Sequence, residues 1–153
     1  MAKTIKASEL PGMVGQEFDP SPWIEITQER VNLFADATND HQFIHVDPEK
    51  AAKTPFGGPI AHGFLSLSLL SYLNAQSAMI PEGLAMAVNY GSDKVRYLAP
   101  VKVGKRIRSR QKLLEAAEKR PGQWLTKTAV TVEIEGESTP ALVAEILSMY
   151  IVR

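Results

Sequence analysis

The chain of 153 residues contains no cysteine. Disulfides, thiolate metal ligands and a cysteine nucleophile are therefore excluded, and the absence suits a reducing cytosol. A charge of one sign is missing too. Lys and Arg total 17 and Asp and Glu total 17, so no global field points to nucleic acid or an anionic membrane as partner. Long apolar runs are absent: the most apolar stretch, Phe64 to Leu73, is interrupted by serines and too short to span a bilayer. The opening residues Met1-Ala2-Lys3-Thr4-Ile5-Lys6 lack the apolar run of a signal peptide. Without repeats, low-complexity tracts or linkers, the expectation is one cytoplasmic domain over 1–153. Its first 22 residues form a loop-rich lead-in containing Pro11, Gly12, Gly15, Pro20 and Pro22.

What is present divides by period. Trp23-Ile24-Glu25-Ile26 reads as a short strand. Thr27 is a candidate N-cap, and Val31, Phe34, Ala35 and Thr38 recur at helical spacing, predicting an amphipathic helix over 28–38. Asn39-Asp40 should stop it, and 39–47 is expected to be irregular. Asp47 then caps a short helix with Pro48 at its first position. Pro55, Gly57, Gly58 and Pro59 force another loop. From His62 to about Ala78, apolar side chains on nearly every face predict a long helix wrapped by other elements, the hydrophobic centre of the domain.

After Ala85 the period falls toward two. Strands are expected over 85–90, 94–98, 103–115 and 124–135, with a last one from Ala141 to Val152. In the fourth, Trp124, Thr126, Thr128, Val130, Val132 and Ile134 share one face. Consecutive strands joined by short polar turns argue for an antiparallel sheet. The fold class is α+β, a curled antiparallel sheet wrapped around a long central helix.

Chemistry concentrates between the two parts. Asp40 and His45 stand five residues apart, and Gly63 opens the central helix. A carboxylate, an imidazole with an ordinary pKa near 6.5, and backbone N–H groups at a helix start are the parts of an acid–base site acting beside a carbonyl. Spacing alone leaves open a helix-end carboxylate and a surface histidine. His41, His45 and His62 do not form a zinc helix, since the stretch lacks the Glu of His-Glu-x-x-His and falls where a loop is expected; no metal is predicted. Lys94, Arg96, Lys102, Lys105, Arg106, Arg108 and Arg110 make the one charge-dense region, which reads either as a solvated strand face or as a site for phosphates.

Three stretches together carry a resemblance: Asp40-x-x-x-x-His45-x-Asp47-Pro48, then Ile60-Ala61-His62-Gly63-Phe64, then Tyr90-Gly91-x-x-Lys94-Val95-Arg96-Tyr97-Leu98-Ala99-Pro100-Val101-x-Val103-Gly104. In this order and spacing, from about Trp23 to the C-terminus, the chain resembles the MaoC-like, R-specific enoyl-CoA hydratases of the hot-dog fold, including their nodulation-protein-N-like branch. The resemblance implies a single hot-dog domain, catalytic Asp40 and His45 holding one water, and the Gly63 N–H as donor to the substrate thioester oxygen. It implies supporting roles for Gln42 and for Ser71, the latter either a hydrogen-bond partner of Asp40 or a small packing residue. Phe43, His62, Lys94 and Arg96 are the candidate substrate-binding residues, although His62 also suits a turn-holding role and the two cations a structural one. An acyl-CoA thioester is the expected substrate, coenzyme A being part of it rather than a separate cofactor, and a homodimer is the expected assembly. Thioester hydrolysis, or a catalytically silent subunit of a heteromeric dehydratase, are the alternatives. The chain departs from the family's Gly-Asp-x-Asn-Pro-Leu-His at Asn39 and at Gln42-Phe43.

Overall fold

The apolar face of Val130, Val132 and Ile134, alternating with polar neighbours, lies on β6 at the middle of a five-stranded sheet. The computed structural model describes residues 2–153, so Met1, the start of the lead-in, lies outside them. The sheet comprises β2 (Ile24–Glu25), β4 (Leu84–Tyr97), β5 (Arg106–Arg120), β6 (Gln123–Ile134) and β7 (Leu142–Val152), in the order β2-β5-β6-β7-β4 and antiparallel throughout. The two short strands expected over 85–90 and 94–98 are one continuous β4. Its pairing with β7 shifts between Asp93 and Arg96, where Lys94 takes a left-handed φ of 51°. That bulge interrupts the alternation and makes one strand read as two.

Two findings correct the first half. The lead-in is not all loop. Lys3–Ile5 forms β1, paired in parallel with β3 (Met79–Pro81), and Ala7–Met13 is a 3-10 helix that buries Leu10. The long central helix runs as α4 (Gly63–Ser68) and α5 (Leu70–Ala75), joined through Leu69, which keeps α-helical angles and bonds to Leu65 and Leu73. It is not wrapped on every face, because Phe64 is 68% and Tyr72 53% exposed. Its other face, Leu65, Leu70 and Leu73, packs with Ile107, Val130, Val132 and Leu142 in the core.

Leu73 is fully buried there. Leu73→Ala is expected to cost roughly 2–5 kcal/mol through lost burial and the cavity it leaves. Chemical denaturation should show a lower midpoint with an unchanged slope.

Ahead of the central helices come α1 (Gln28–Thr38), α2 (Phe43–Val46) and α3 (Pro48–Ala51). α1 enters the core through Val31, and α2 and α3 pack in turn behind it before the chain reaches α4.

Candidate active site

Local chemistry aims the chain at the site. The Thr27 hydroxyl accepts from the Arg30 N–H and starts α1, while Asn39, at φ 58°, ends it in the left-handed conformation that Asn tolerates. The turn brings Asp40 out beside the next element. Residues 42–47, expected to be irregular, contain one helical turn, α2, followed by α3, which the Asp47 carboxylate caps through the Lys50 N–H. A four-residue helix leaves no periodic signal in sequence, so tertiary bonds define it. Gln28 Nε2 donates to the His45 carbonyl at 2.8 Å, and the Ile60 N–H donates to the Ile44 carbonyl at 2.9 Å.

His45 is buried, and its Nδ1–H donates to the Ile60 carbonyl at 2.6 Å. A carbonyl only accepts, so this bond fixes the proton on Nδ1 and leaves Nε2 as a free basic nitrogen. The His62 ring stacks on His45 with centroids 3.8 Å apart, Phe34 packs against His62 at 4.9 Å, and His62 Nε2–H donates to the Asp40 backbone carbonyl at 3.0 Å. His62 thus touches both partners of the acid–base pair. The Asp40 carboxylate is half exposed, with Oδ2 4.0 Å from His62 Nε2 and Oδ1 3.4 Å from the Gln42 N–H. Polar atoms of Asp40, His45 and His62 lie within 4.8 Å of one another. Each histidine already commits one ring nitrogen to a carbonyl, which suits a proton-handling pair with a stacking support.

A cavity of about 430 Å³ opens beside His45, bounded by Gly63, Ser66, Tyr97, Leu98 and Pro100. Gly63 stands at the first position of α4, where the helix has no carbonyl to offer its N–H. A Cβ there would lie 2.9 Å from the Tyr97 ring, so any other residue must displace the ring or the start of α4.

The remaining expected site residues are scattered. Ser71 is exposed and lines a different cavity, so no bond to Asp40 forms; Ser66, one turn earlier and buried, faces the His45 cavity instead. Both serines sit in the run Leu65-Ser66-Leu67-Ser68-Leu69-Leu70-Ser71, and only the helix phase separates them. Gln42 is exposed and meets Asp40 through its backbone rather than its amide. Phe43 is 43% exposed at the start of α2, and His62, 2% exposed, lies beneath His45 rather than on the cavity wall. Lys94 pairs with Glu145 at 3.4 Å, and the Arg96 guanidinium donates to the Val95 carbonyl. Of the basic run, Arg106 pairs with Glu135, while Arg108 and Arg110 share Glu133. That part is a solvated strand face.

Burial lowers the His45 pKa from its ordinary 6.5, opposed by the Ile60 carbonyl and by Asp40 and reinforced by His62. A base of this kind stays unprotonated to lower pH. The acid limb of a kcat/KM profile is therefore expected to have its midpoint below 6.5. Linkage runs the same way: the folded state binds fewer protons at His45 than the unfolded one. Its contribution to stability is full above about pH 6.5 and is lost as pH falls through the depressed value. Thermal melts from pH 7.5 to 5 should show a shallower decline for His45→Gln than for the wild type.

Comparison with known proteins turns this geometry into kinship. The MaoC like domain model matches residues 9–137. The chain belongs to the MaoC-like family. Nodulation protein N of Rhizobium meliloti is 50% identical to this MaoC-like chain over 141 residues, 92% of the chain and 88% of the relative. The 3-hydroxyacyl-thioester dehydratase Z of Mycobacterium tuberculosis is 47% identical over 144 residues, 94% and 95% of the two. Among solved structures, an R-hydratase of Pseudomonas aeruginosa in its unliganded form superposes with a TM-score of 0.74 at 28% identity, covering 97% of this chain and 87% of that one. The (R)-hydratase from A. caviae involved in PHA biosynthesis gives 0.70 at 25% identity, covering 88% and 94%. The curled sheet and its helix pair are therefore the hot-dog fold of MaoC-like proteins.

Proposed function

We propose that this MaoC-like chain is an R-specific enoyl-CoA hydratase and dehydratase, adding water reversibly to a trans-2-enoyl-CoA to give an (R)-3-hydroxyacyl-CoA. The observation that carries the reading is the His45 ring. Its Nδ1–H is fixed on the Ile60 carbonyl and its other nitrogen is left basic beside the Asp40 carboxylate and an open cavity. One water is held between the two side chains. His45 Nε2 takes its proton as the hydroxide oxygen bonds to C3, and the double-bond electrons move toward the thioester oxygen. The Gly63 N–H stabilises the charge collecting there. Asp40 orients the water, accepts that proton from His45 and passes it to C2 on the same face, which makes the addition syn and returns both side chains to their starting states. Coenzyme A enters only as part of the substrate, and the sequence of steps calls for no metal or further cofactor.

The edge strand β4 is exposed along nearly its whole length, and Met86, Val88 and Tyr90 stand out from it. An open edge of this length supports a homodimer in which two such strands pair, covering unpaired N–H and C=O groups. Among the described residues no helix is long and apolar enough to cross a membrane. A cytoplasmic location is part of the proposal.

The test is spectroscopic. With crotonyl-CoA, absorbance of the conjugated enoyl thioester should fall without release of free thiol. Thiol release would establish thioester hydrolysis instead, and no change across acyl lengths would leave a silent subunit. Size-exclusion chromatography should show a dimer at micromolar concentration.

A further inference from the structure

A cavity larger than the one beside His45 lies further along the helices. This second cavity, of about 600 Å³, lies between α5, β4 and the inner face of the sheet. Both open on the same seam, because the first takes Gly63 and Phe64 from the helices, Tyr97 from the end of β4 and Leu98 just after it, while the second takes residues between Leu67 and Ala78 and between Leu84 and Ser92. Ser66 faces one and Leu67 the other. From Gly63 to Asn74 the helices cover about 16 Å at 1.5 Å per residue.

The walls of the second cavity have an unusual chemistry. The inner face of the sheet changes character along its strands. Ile107, Val130, Val132, Ile134 and Leu142 form the apolar half, in the core. Gln111, Thr126, Thr128, Ser148 and Tyr150 follow at the other end, and all but the buried Thr126 line the cavity. None of the cavity's lining residues carries a charge.

Gln111 is 5% exposed, and its Nε2 donates both to the Asn74 carbonyl at 2.9 Å and to Ser77 Oγ at 3.0 Å. The amide is thereby held in one orientation, and its Oε1 is left without a protein partner at the cavity wall. Burial keeps the Tyr150 phenol neutral by raising its pKa, against a hydrogen bond from Thr126. A polar group placed on the inner face of a sheet costs stability unless it finds a partner. A fixed acceptor on the wall of an uncharged and mostly apolar cavity matches a ligand that is apolar along most of its length and carries a hydroxyl.

We infer that the second cavity receives the distal part of the substrate acyl chain, and that it selects chains bearing a neutral oxygen function, a hydroxyl above all, over plain alkyl chains. The inference rests on the hydratase reading for the thioester end. The Gln111 Oε1 accepts from the chain hydroxyl, with Thr128 diagonal to it on β6, two residues from Val130, the strand partner of Gln111. Anionic chain ends are rejected, because no cation faces them and the charge would be desolvated.

The experiment compares two medium-chain trans-2-enoyl-CoA substrates of equal length, one with a terminal hydroxyl and one plain, scored as the ratio of their kcat/KM within each variant. The wild type is expected to favour the hydroxylated chain by about 10-fold, the worth of one well-placed buried hydrogen bond. Gln111→Leu should bring the ratio to unity or invert it. Thr128→Val, which conserves volume and disturbs no other bond, should lower it by a smaller factor and covers the case in which Gln111→Leu does not fold. A wild type that prefers the plain chain, or a ratio unmoved in a folded variant, overturns the inference. The reaction itself is separated by crotonyl-CoA, too short to reach the second cavity. Should crotonyl-CoA prove inert, calorimetric binding of the corresponding saturated acyl-CoA pair decides the inference by the same ratio, without turnover.

Discussion

His45→Gln and Asp40→Asn are each expected to lower kcat for crotonyl-CoA hydration by about 10²-fold or more, with the fold retained. The two substitutions fail for different reasons. Glutamine keeps a donor that reaches toward the Ile60 carbonyl but supplies no basic nitrogen, so the water loses its proton acceptor. Asparagine keeps the size of Asp40 and its backbone carbonyl, the acceptor of the His62 Nε2–H, but has no carboxylate to relay the proton to C2. Because the two groups act on one water, the double variant should be scarcely slower than either single one. Circular dichroism and melting temperature check that each variant is folded. Near-full activity in either one would remove the acid–base assignment.

Gly63→Ala is expected to cut kcat by roughly 10²–10³-fold, the range for losing one preorganised donor at a developing oxyanion. The added Cβ meets the Tyr97 ring at 2.9 Å, closer than carbon atoms pack. Either the ring or the first turn of α4 moves, and both border the His45 cavity. Alanine keeps the N–H, so the loss measures its displacement rather than its removal. Tyr97→Leu in the same background gives the Cβ room and should restore part of the rate. If the single variant retains wild-type kcat, the Tyr97 ring gives way without displacing the Gly63 N–H, and this prediction fails.

How far these assignments could be read beforehand depends on the range of the forces involved. The Thr27 cap, the helix stop at Asn39 and the Asp47 cap follow from the preference of a side chain for its own backbone neighbours, and all three are present as expected. The alternating face of β6 follows from the period of a half-buried strand. The single turn of α2 was not legible, because bonds from Gln28 and to Ile60 define it. Which serine of the helix faces the His45 cavity was not legible for a related reason. In a helix with serines at several phases, the face toward the cavity is set by what packs against the others. The basic run read either as a solvated strand face or as a phosphate site, and only the fold places Glu133 on β6 and Glu135 just after it opposite Arg106, Arg108 and Arg110.

Sequence by itself determined the antiparallel sheet, the buried helical segment, and the presence of Asp40, His45 and Gly63 in an order that resembles the MaoC-like hydratases. Periodicity and backbone preference act over a few residues, and a residue string contains them in full. The tertiary structure alone decided the proton position on His45, the stacking of His62 beneath it, and the division of the sheet's inner face into an apolar and a polar half. Those depend on Ile60, fifteen residues from His45, and on neighbours from β5, β6 and β7. Electrostatic and hydrogen-bonding environments are properties of groups brought together across the fold.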